Sequence, residues 1–259
     1  MRRLMHDEQD CLPLFRWGAG FSQEELQLRL RSLQQYPSTG PASDDAAARD
    51  PGWQRYYSEA VIARDEPGLP RASGPFQQAR EAIINYDFSD PSIVQTHFDR
   101  SLALNGRPML LELKVLGVHT LCGVVVRALR NEQTAERTVW GFRYDTLSGH
   151  VESGAEWFIL SKDHRTGDVR FRIQATWREG TLPNWWSRFG FQVFARSYQR
   201  SWHRNAYVRL RALLRARGLP ALPRRGAIVQ PWHPVVESLH ESEPDASAAK
   251  AIDLAMRDP

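Results

Sequence analysis

The sequence predicts an α+β fold in which antiparallel strands form one sheet and a long C-terminal helix covers it. Three observations predict this. Val169, Phe171, Ile173, Ala175 and Trp177 alternate strictly with Arg170, Arg172, Gln174 and Thr176. That period of two marks a strand with one buried and one wet face. Upstream, the apolar runs Pro108–Leu116, Thr120–Leu129, Thr138–Thr146 and Gly154–Lys162 follow one another with short connections, the natural spacing of hairpins. Downstream, Phe191, Phe194, Tyr198, Trp202, Ala206, Leu210 and Leu213 step by three and four through Trp185–Arg217, with Arg196, Arg200, Arg204, Arg211 and Arg215 largely off that stripe. This is the pattern of an amphipathic helix. A sheet with one wet face must cover the other, and this helix is the obvious cover.

The remaining elements follow in order. Residues 1–13 read as a loose leader. Ser22 followed by Glu25 forms a capping box for a helix over Gln23–Gln35, with Leu26, Leu30 and Leu33 as its stripe. Tyr36–Pro51, rich in Pro, Gly, Ser, Asp and Ala, reads as a loop. Trp53–Ala63 reads as a strand. Gly74–Tyr86 reads as a helix with Phe76, Ala79, Ile83 and Tyr86 on one side. Gly117 joins two of the later strands, and Asp163–Asp168 with Gly167 is a turn. Gly218 and Pro220 stop the terminal helix. Residues 14–217 then form one domain, and 218–259 a Pro-rich, then acidic extension in which Ala246–Met256 is a short helix at most.

Composition bounds the class. The chain has 259 residues, 42% hydrophobic and 25% charged, which excludes a wholly disordered, collagen-like or coiled-coil protein. Its formal charge is +4. From residue 229 onward six acids face two cations, so that tail carries −4 and residues 1–228 carry +8. A basic body can attract phosphate-bearing partners, but a solvated basic surface is the favoured explanation. The two cysteines, Cys11 and Cys122, imply no disulfide framework. Met1–Asp10 lacks the apolar core of a secretory signal. Glu112, Lys114, His119 and Arg127 interrupt the longest apolar region and argue against a membrane span. A soluble cytoplasmic protein is expected.

The most specific segment is Trp140–Phe158, WGFRYDTLSGHVESGAEWF. Gly141, Phe142, Tyr144, Thr146, Leu147, Gly149, His150, Glu152, Gly154, Glu156 and Phe158 fit the pattern GFxYxTLxGHxExGxExF. The chain thereby resembles the uncharacterised protein family UPF-0548. Phe15 with Gly20-Phe21-Ser22, then Gly74-Pro75-Phe76 with Ala79, and finally Gln199 and Tyr207 extend the resemblance over roughly residues 14–215. Asp145, Ser148, Val151 and Ala155 depart from it, as does Trp177-Arg178-Glu179. The resemblance assigns no activity. It implies a helix-grip fold similar to START and Bet v 1-like proteins, where a curved antiparallel sheet wraps a C-terminal helix and a cavity between them commonly holds a lipid, sterol or polyketide.

Within the motif, Tyr144, His150 and Glu152 are the candidate catalytic or ligand-orienting groups, with Thr146 and Glu156 beside them. His150 and Glu152 are two apart and would face one way in an extended segment, and a carboxylate beside an imidazole orients it and raises its pKa. The competing explanation is a hairpin connection, in which Gly149 and Gly154 supply positive φ and Thr146, His150 and Glu152 satisfy backbone groups. Phe171, Trp177, Phe194, Tyr198 and Trp202 would line a ligand cavity, or simply fill the core. The first expectation is a binder of a small hydrophobic or amphipathic molecule. The second is an enzyme using His150 and Glu152 in the same cavity. The third is an anion- or nucleic-acid-binding module using the arginine face, with Arg170 and Arg172 adding to it if they lie on that side. No zinc-finger, helix-turn-helix or RNP-like motif supports a nucleic-acid reader. Without Walker A, GxGxxG or GxSxG, no nucleotide cofactor is expected, and His150 with Glu152 supplies too few ligands for a metal. His97, His119, His164, His203, His233 and His240 read as structural or exposed.

Overall fold

The computed structural model describes residues 12–180, 185–218 and 233–234, with side chains described for 12–178, 180 and 199–218. Among the described residues nine antiparallel strands form one sheet: β1 (Leu14–Trp17), β2 (Gln54–Arg64), β3 (Val94–His97), β4 (Pro108–Val115), β5 (Val118–Gln133), β6 (Arg137–Thr146), β7 (Glu152–Asp163), β8 (Asp168–Glu179) and β9 (His233–Pro234). The order is β3-β4-β5-β6-β7-β8-β2-β9, and β1 pairs with the first residues of β5, ahead of the stretch that pairs with β6. Consecutive hairpins build the middle of the sheet. Leu116 and Gly117, both at positive φ, make the tight turn between β4 and β5, and their twist matches that of the flanking strands. Register shifts at Val61/Ala63 in β2 and Val126/Ala128 in β5 mark irregularities of the kind that bend a sheet.

The concave face carries α3 (Pro75–Ile84) and the long α4 (Trp185–Ala216). Its core is aromatic. Phe88 lies 5.2 Å from Phe158 and 5.3 Å from Phe171, and Tyr207 of α4 lies 5.9 Å from Phe171. The terminal helix therefore docks on the strand carrying Phe171, as its stripe predicts. Trp202, Ala206 and Leu210 are buried as expected. Leu213 is only half-buried, and Leu214, His203 and Tyr207 take the remaining inward positions. Each fully buried aromatic here contributes about 1.5–3 kcal/mol by leaving water. Phe191, Phe194 and Tyr198 fall outside the described side chains, as does Ala246–Met256 outside the described residues.

The convex face is covered at one end by α1 (Gln23–Ser32) and a 3-10 turn (Leu33–Gln35). The Ser22–Glu25 capping box is present in both directions. Leu26 and Leu33 pack with Leu110, Leu121, Leu147 and Leu12, so the last part of the expected leader is buried. Four described elements differ from the sequence expectations: α2, β1, β3 and the two-residue β9, which pairs with β2. The expected loop Tyr36–Pro51 contains α2 (Asp44–Arg49), capped by Ser43, whose Oγ accepts the Ala46 N–H at 3.0 Å. Its six residues are too few to show a stripe. Strands β1 and β3, four residues each, are too short to show a period. The wet face of β8 is also only half wet. Arg170 and Arg172 are half-exposed, whereas Gln174 and Thr176 are buried. Near them, Trp157, the cross-strand partner of Gln174, donates its indole N–H to Asp44 of α2 at 2.8 Å.

Candidate functional site

The motif folds into the β6–β7 hairpin. Gly149, at φ +81°, turns it, and a Cβ there would stand 2.1 Å from the Leu12 carbonyl oxygen, so no other residue fits. Gly154 is not at positive φ, contrary to expectation. It lies in extended backbone, where a Cβ would stand 2.4 Å from the Thr176 carbonyl oxygen, so close approach between strands is its reason. Thr146 is a clamp: its hydroxyl accepts the Gly154 N–H at 2.8 Å, lies 3.1 Å from the Gly154 carbonyl oxygen and meets the Thr39 hydroxyl at 2.7 Å.

Register places Tyr144 directly opposite Glu156, and the phenol donates to Glu156 Oε2 at 2.5 Å. Both share the face of Phe142 and Phe158, toward the helices. Burial raises the Glu156 carboxyl to about 8; the Tyr144 bond pulls down and the charge of Glu152 adds to the rise. Burial likewise raises Glu152 to about 7, against the hydrogen bond from Gln199 Nε2 of α4 at 3.1 Å. Near neutral pH both carboxyls hold protons for much of the time.

The expected His150–Glu152 pair does not form in the anticipated way. His150 Nδ1 accepts the backbone N–H of Glu152 at 3.0 Å, while the Glu152 carboxyl turns to Gln199. Burial lowers the imidazole to about 4, the opposite of the rise expected from a neighbouring carboxylate. The reason is depth: His150 is removed from water with no anion bonded to its ring, so the neutral form wins.

A second histidine stands closer to the acids. His203 is buried on α4, with Nδ1 2.5 Å from Ser58 Oγ and Nε2 3.8 Å from Glu156 Oε1. Ser58 Oγ also meets Tyr207 Oη at 2.6 Å. Burial lowers His203 to about 3, so its ring is neutral too. Expected from the sequence to be structural or exposed, His203 is buried beside the acids. Its signal was the helical spacing Gln199, His203, Ala206, Leu210, which puts it on the inward face, just as alternation with Ala60 and Ile62 puts Ser58 inward on β2.

The other named residues are placed as follows. Phe171 and Trp202 sit in the close-packed core, and the Trp202 indole donates to Ser89 Oγ at 3.0 Å. Trp177 is half-buried on β8. The arginines do not form one face: Arg170 and Arg172 pair with Glu59 on the side of β8 away from α4, while Arg200 and Arg204 are exposed on α4. Arg211 instead donates to the Val61 carbonyl at 2.6 Å. Among the described residues no cluster of three His, Cys, Asp or Glu is arranged to hold a metal, and no helix is long and apolar enough to cross a membrane. An open groove of about 660 Å³ lies elsewhere, beside β3 and α1, and contains none of the motif residues.

Comparison with known proteins gives a family and a fold likeness. The model of a domain of unknown function, DUF1990, matches residues 36–209. No curated protein matches the chain. Among solved structures, the crystal structure of Ara h 8.0201 is similar with a TM-score of 0.38 and 9% identity, covering 64% of this chain and 99% of that one. The di-domain ARO/CYC StfQ from the steffimycin biosynthetic pathway is similar with a TM-score of 0.40 and 8% identity, covering 64% of this chain and 52% of that one.

Proposed function

We propose, for a chain that belongs to the DUF1990 family of domains of unknown function, that the interface between sheet and α4 takes a small hydrophobic or amphipathic molecule, seated at the Tyr144–Glu156 end. One observation carries this reading. Glu152 and Glu156 face that interface, and among the described residues no lysine or arginine pairs with either; a carboxamide and a phenol hold them instead. A buried carboxyl without a cation is costly unless it stays protonated, and a protonated carboxyl both donates and accepts. Such a pair suits the polar end of an otherwise apolar molecule, because cavities that bind small ligands place a few polar groups in apolar walls. The half of the interface around Trp202, Tyr207 and Leu210 is close-packed core, and the half-buried carboxyls of Glu152 and Glu156 lie at the other end.

An enzyme in the same place is the second reading, with Glu156 and Tyr144 proposed in place of His150 and Glu152; the hydrogen bond between them supports it. A carboxyl raised to about 8 beside a bonded phenol is poised for proton transfer near neutral pH. Native mass spectrometry of the protein purified from cell extract tests the binding reading. An apolar small molecule retained by the wild type and depleted in Glu156→Gln is expected. A protein that carries only its own mass, and that no amphipathic compound in a thermal-shift panel stabilises, ends it.

A further inference from the structure

Helix α3 ends in a feature that ligand binding by the acids alone leaves unexplained. Asn85 closes the helix and Tyr86 follows at φ +59°. The Tyr86 N–H bonds the Ile83 carbonyl at 3.0 Å, and the Asp87 N–H reaches back to the Ala82 carbonyl at 2.9 Å. This is a Schellman cap, whose left-handed position glycine takes freely. A side chain there costs about 1–2 kcal/mol. The position nevertheless carries a phenol. Its ring is only 4% exposed and packs 4.6 Å from Phe88 and 5.4 Å from Phe158. Its hydroxyl lies beside the Tyr144 hydroxyl and interacts with it, but no described atom makes a well-formed hydrogen bond to it. A phenylalanine would pack as well, whereas a buried polar atom left unsatisfied costs about 1–3 kcal/mol. Backbone strain and an orphaned hydroxyl therefore meet in one side chain, next to the Tyr144–Glu156 pair.

We propose that Tyr86, Tyr144 and Glu156 form one hydrogen-bonding seat for the oxygen of a flat phenol- or enol-type ligand, with Tyr86 Oη donating to that oxygen. The inference rests on the binding reading above and narrows its ligand class. Two phenols and a carboxyl converge beside the packed rings of Phe88 and Phe158. Donors preorganised in a low-dielectric site favour an oxygen that carries partial negative charge. Neighbouring aromatic rings favour a planar one as their packing partner. No cation is required, since His203 beside Glu156 is neutral.

Fluorescence titration of the full chain with 2-naphthol and with naphthalene, the same ring system without the oxygen, tests this. Naphthol should bind about tenfold more tightly than naphthalene, in line with one net hydrogen bond. Tyr86→Phe should abolish that preference and leave naphthalene binding unchanged, while its thermal stability stays the same or rises because the unpartnered hydroxyl is gone. Tyr144→Phe should also reduce the preference, and serves if Tyr86→Phe fails to fold. Equal affinity for both probes overturns the inference, as does a Tyr86→Phe variant that weakens both probes alike. If neither probe binds, the inference falls, whereas an apolar species retained in the native mass spectrum still supports the broader binding reading.

Discussion

Strand β7 carries ionisable groups at both ends of one face, Lys162 buried and Glu152 and Glu156 half-buried, and the two ends are built in opposite ways. At the far end Lys162 is 1% exposed, and its Nζ donates to Asp65 Oδ2 at 2.9 Å and to the Leu69 carbonyl at 3.0 Å. Asp65 also accepts from Arg71 Nη2 at 2.6 Å and from the Glu66 N–H at 2.9 Å. Burial pushes the Asp65 carboxyl up, but Lys162, the Glu66 N–H and Arg71 outweigh it and hold the group below its ordinary value. At the near end Glu152 and Glu156 receive a carboxamide and a phenol and move upward instead. The same fold thus makes one closed ion pair, which fastens the β2–α3 connection to the sheet, and, beneath the terminal helix, one pair of carboxyls pushed toward the protonated form. The first arrangement is satisfied within the chain. The second keeps hydrogen-bonding capacity in reserve, which is why it is the candidate site.

The largest expected effect comes from the closed end. Lys162→Met leaves Asp65 buried with one cation fewer and should cost about 3–5 kcal/mol in urea unfolding. The double variant Lys162→Met/Asp65→Asn should recover much of that loss. A single variant unfolding like the wild type would erase the contrast between the two ends.

The pH profile is the next test. Glu152 and Glu156 titrate higher in the folded state than unfolded, so the folded chain binds more protons between about 4.5 and 8, and stability falls as pH rises through that window. His150 and His203 titrate lower when folded, so stability also falls as pH drops below about 6.5 toward 4 and 3. Thermal melts should therefore peak between about pH 5 and 6.5, where the two trends cross. Glu156→Gln should flatten the alkaline limb and gain on the order of a few kcal/mol at pH 9, with little change at pH 4. Parallel slopes for wild type and variant would show that Glu156 is ionised throughout.

A smaller effect is expected at the link between β2 and α4. Ser58→Ala deprives both His203 and Tyr207 of a partner and should cost about 1–3 kcal/mol by chemical denaturation. The smallest lies on the convex side. Ser22→Ala removes a helix cap, should cost about 1 kcal/mol, and should leave the pH profile unchanged. A shifted alkaline limb in that variant would mean that the acids feel more than their own face.

Much of the architecture was legible because it rests on periodicity. The alternation in Val169–Trp177, the stripe in α4 and the Ser22 box each require only neighbouring residues to be read. The motif Tyr144–Glu156 was also legible as a place, and the single step from Tyr144 across the hairpin to Glu156 follows from strand register. What could not be read was which groups meet across the fold. His203 and Ser58 are 145 residues apart, and Tyr86 joins the acids only because a left-handed cap turns its ring inward. Nor could the fate of His150 be read, since two residues of spacing suggested a side-chain pair where the chain makes a backbone bond.

The amino-acid order alone determined the strand and helix periods, the hairpin at Gly149 and the family to which the motif belongs, because these depend on local sterics and the spacing of apolar side chains. Only the tertiary structure decided that the Glu152 and Glu156 carboxyls are pushed up while that of Asp65 is held down. A carboxyl's charge depends on how much water it loses and which donors it meets, and both are set by distant segments packed over it.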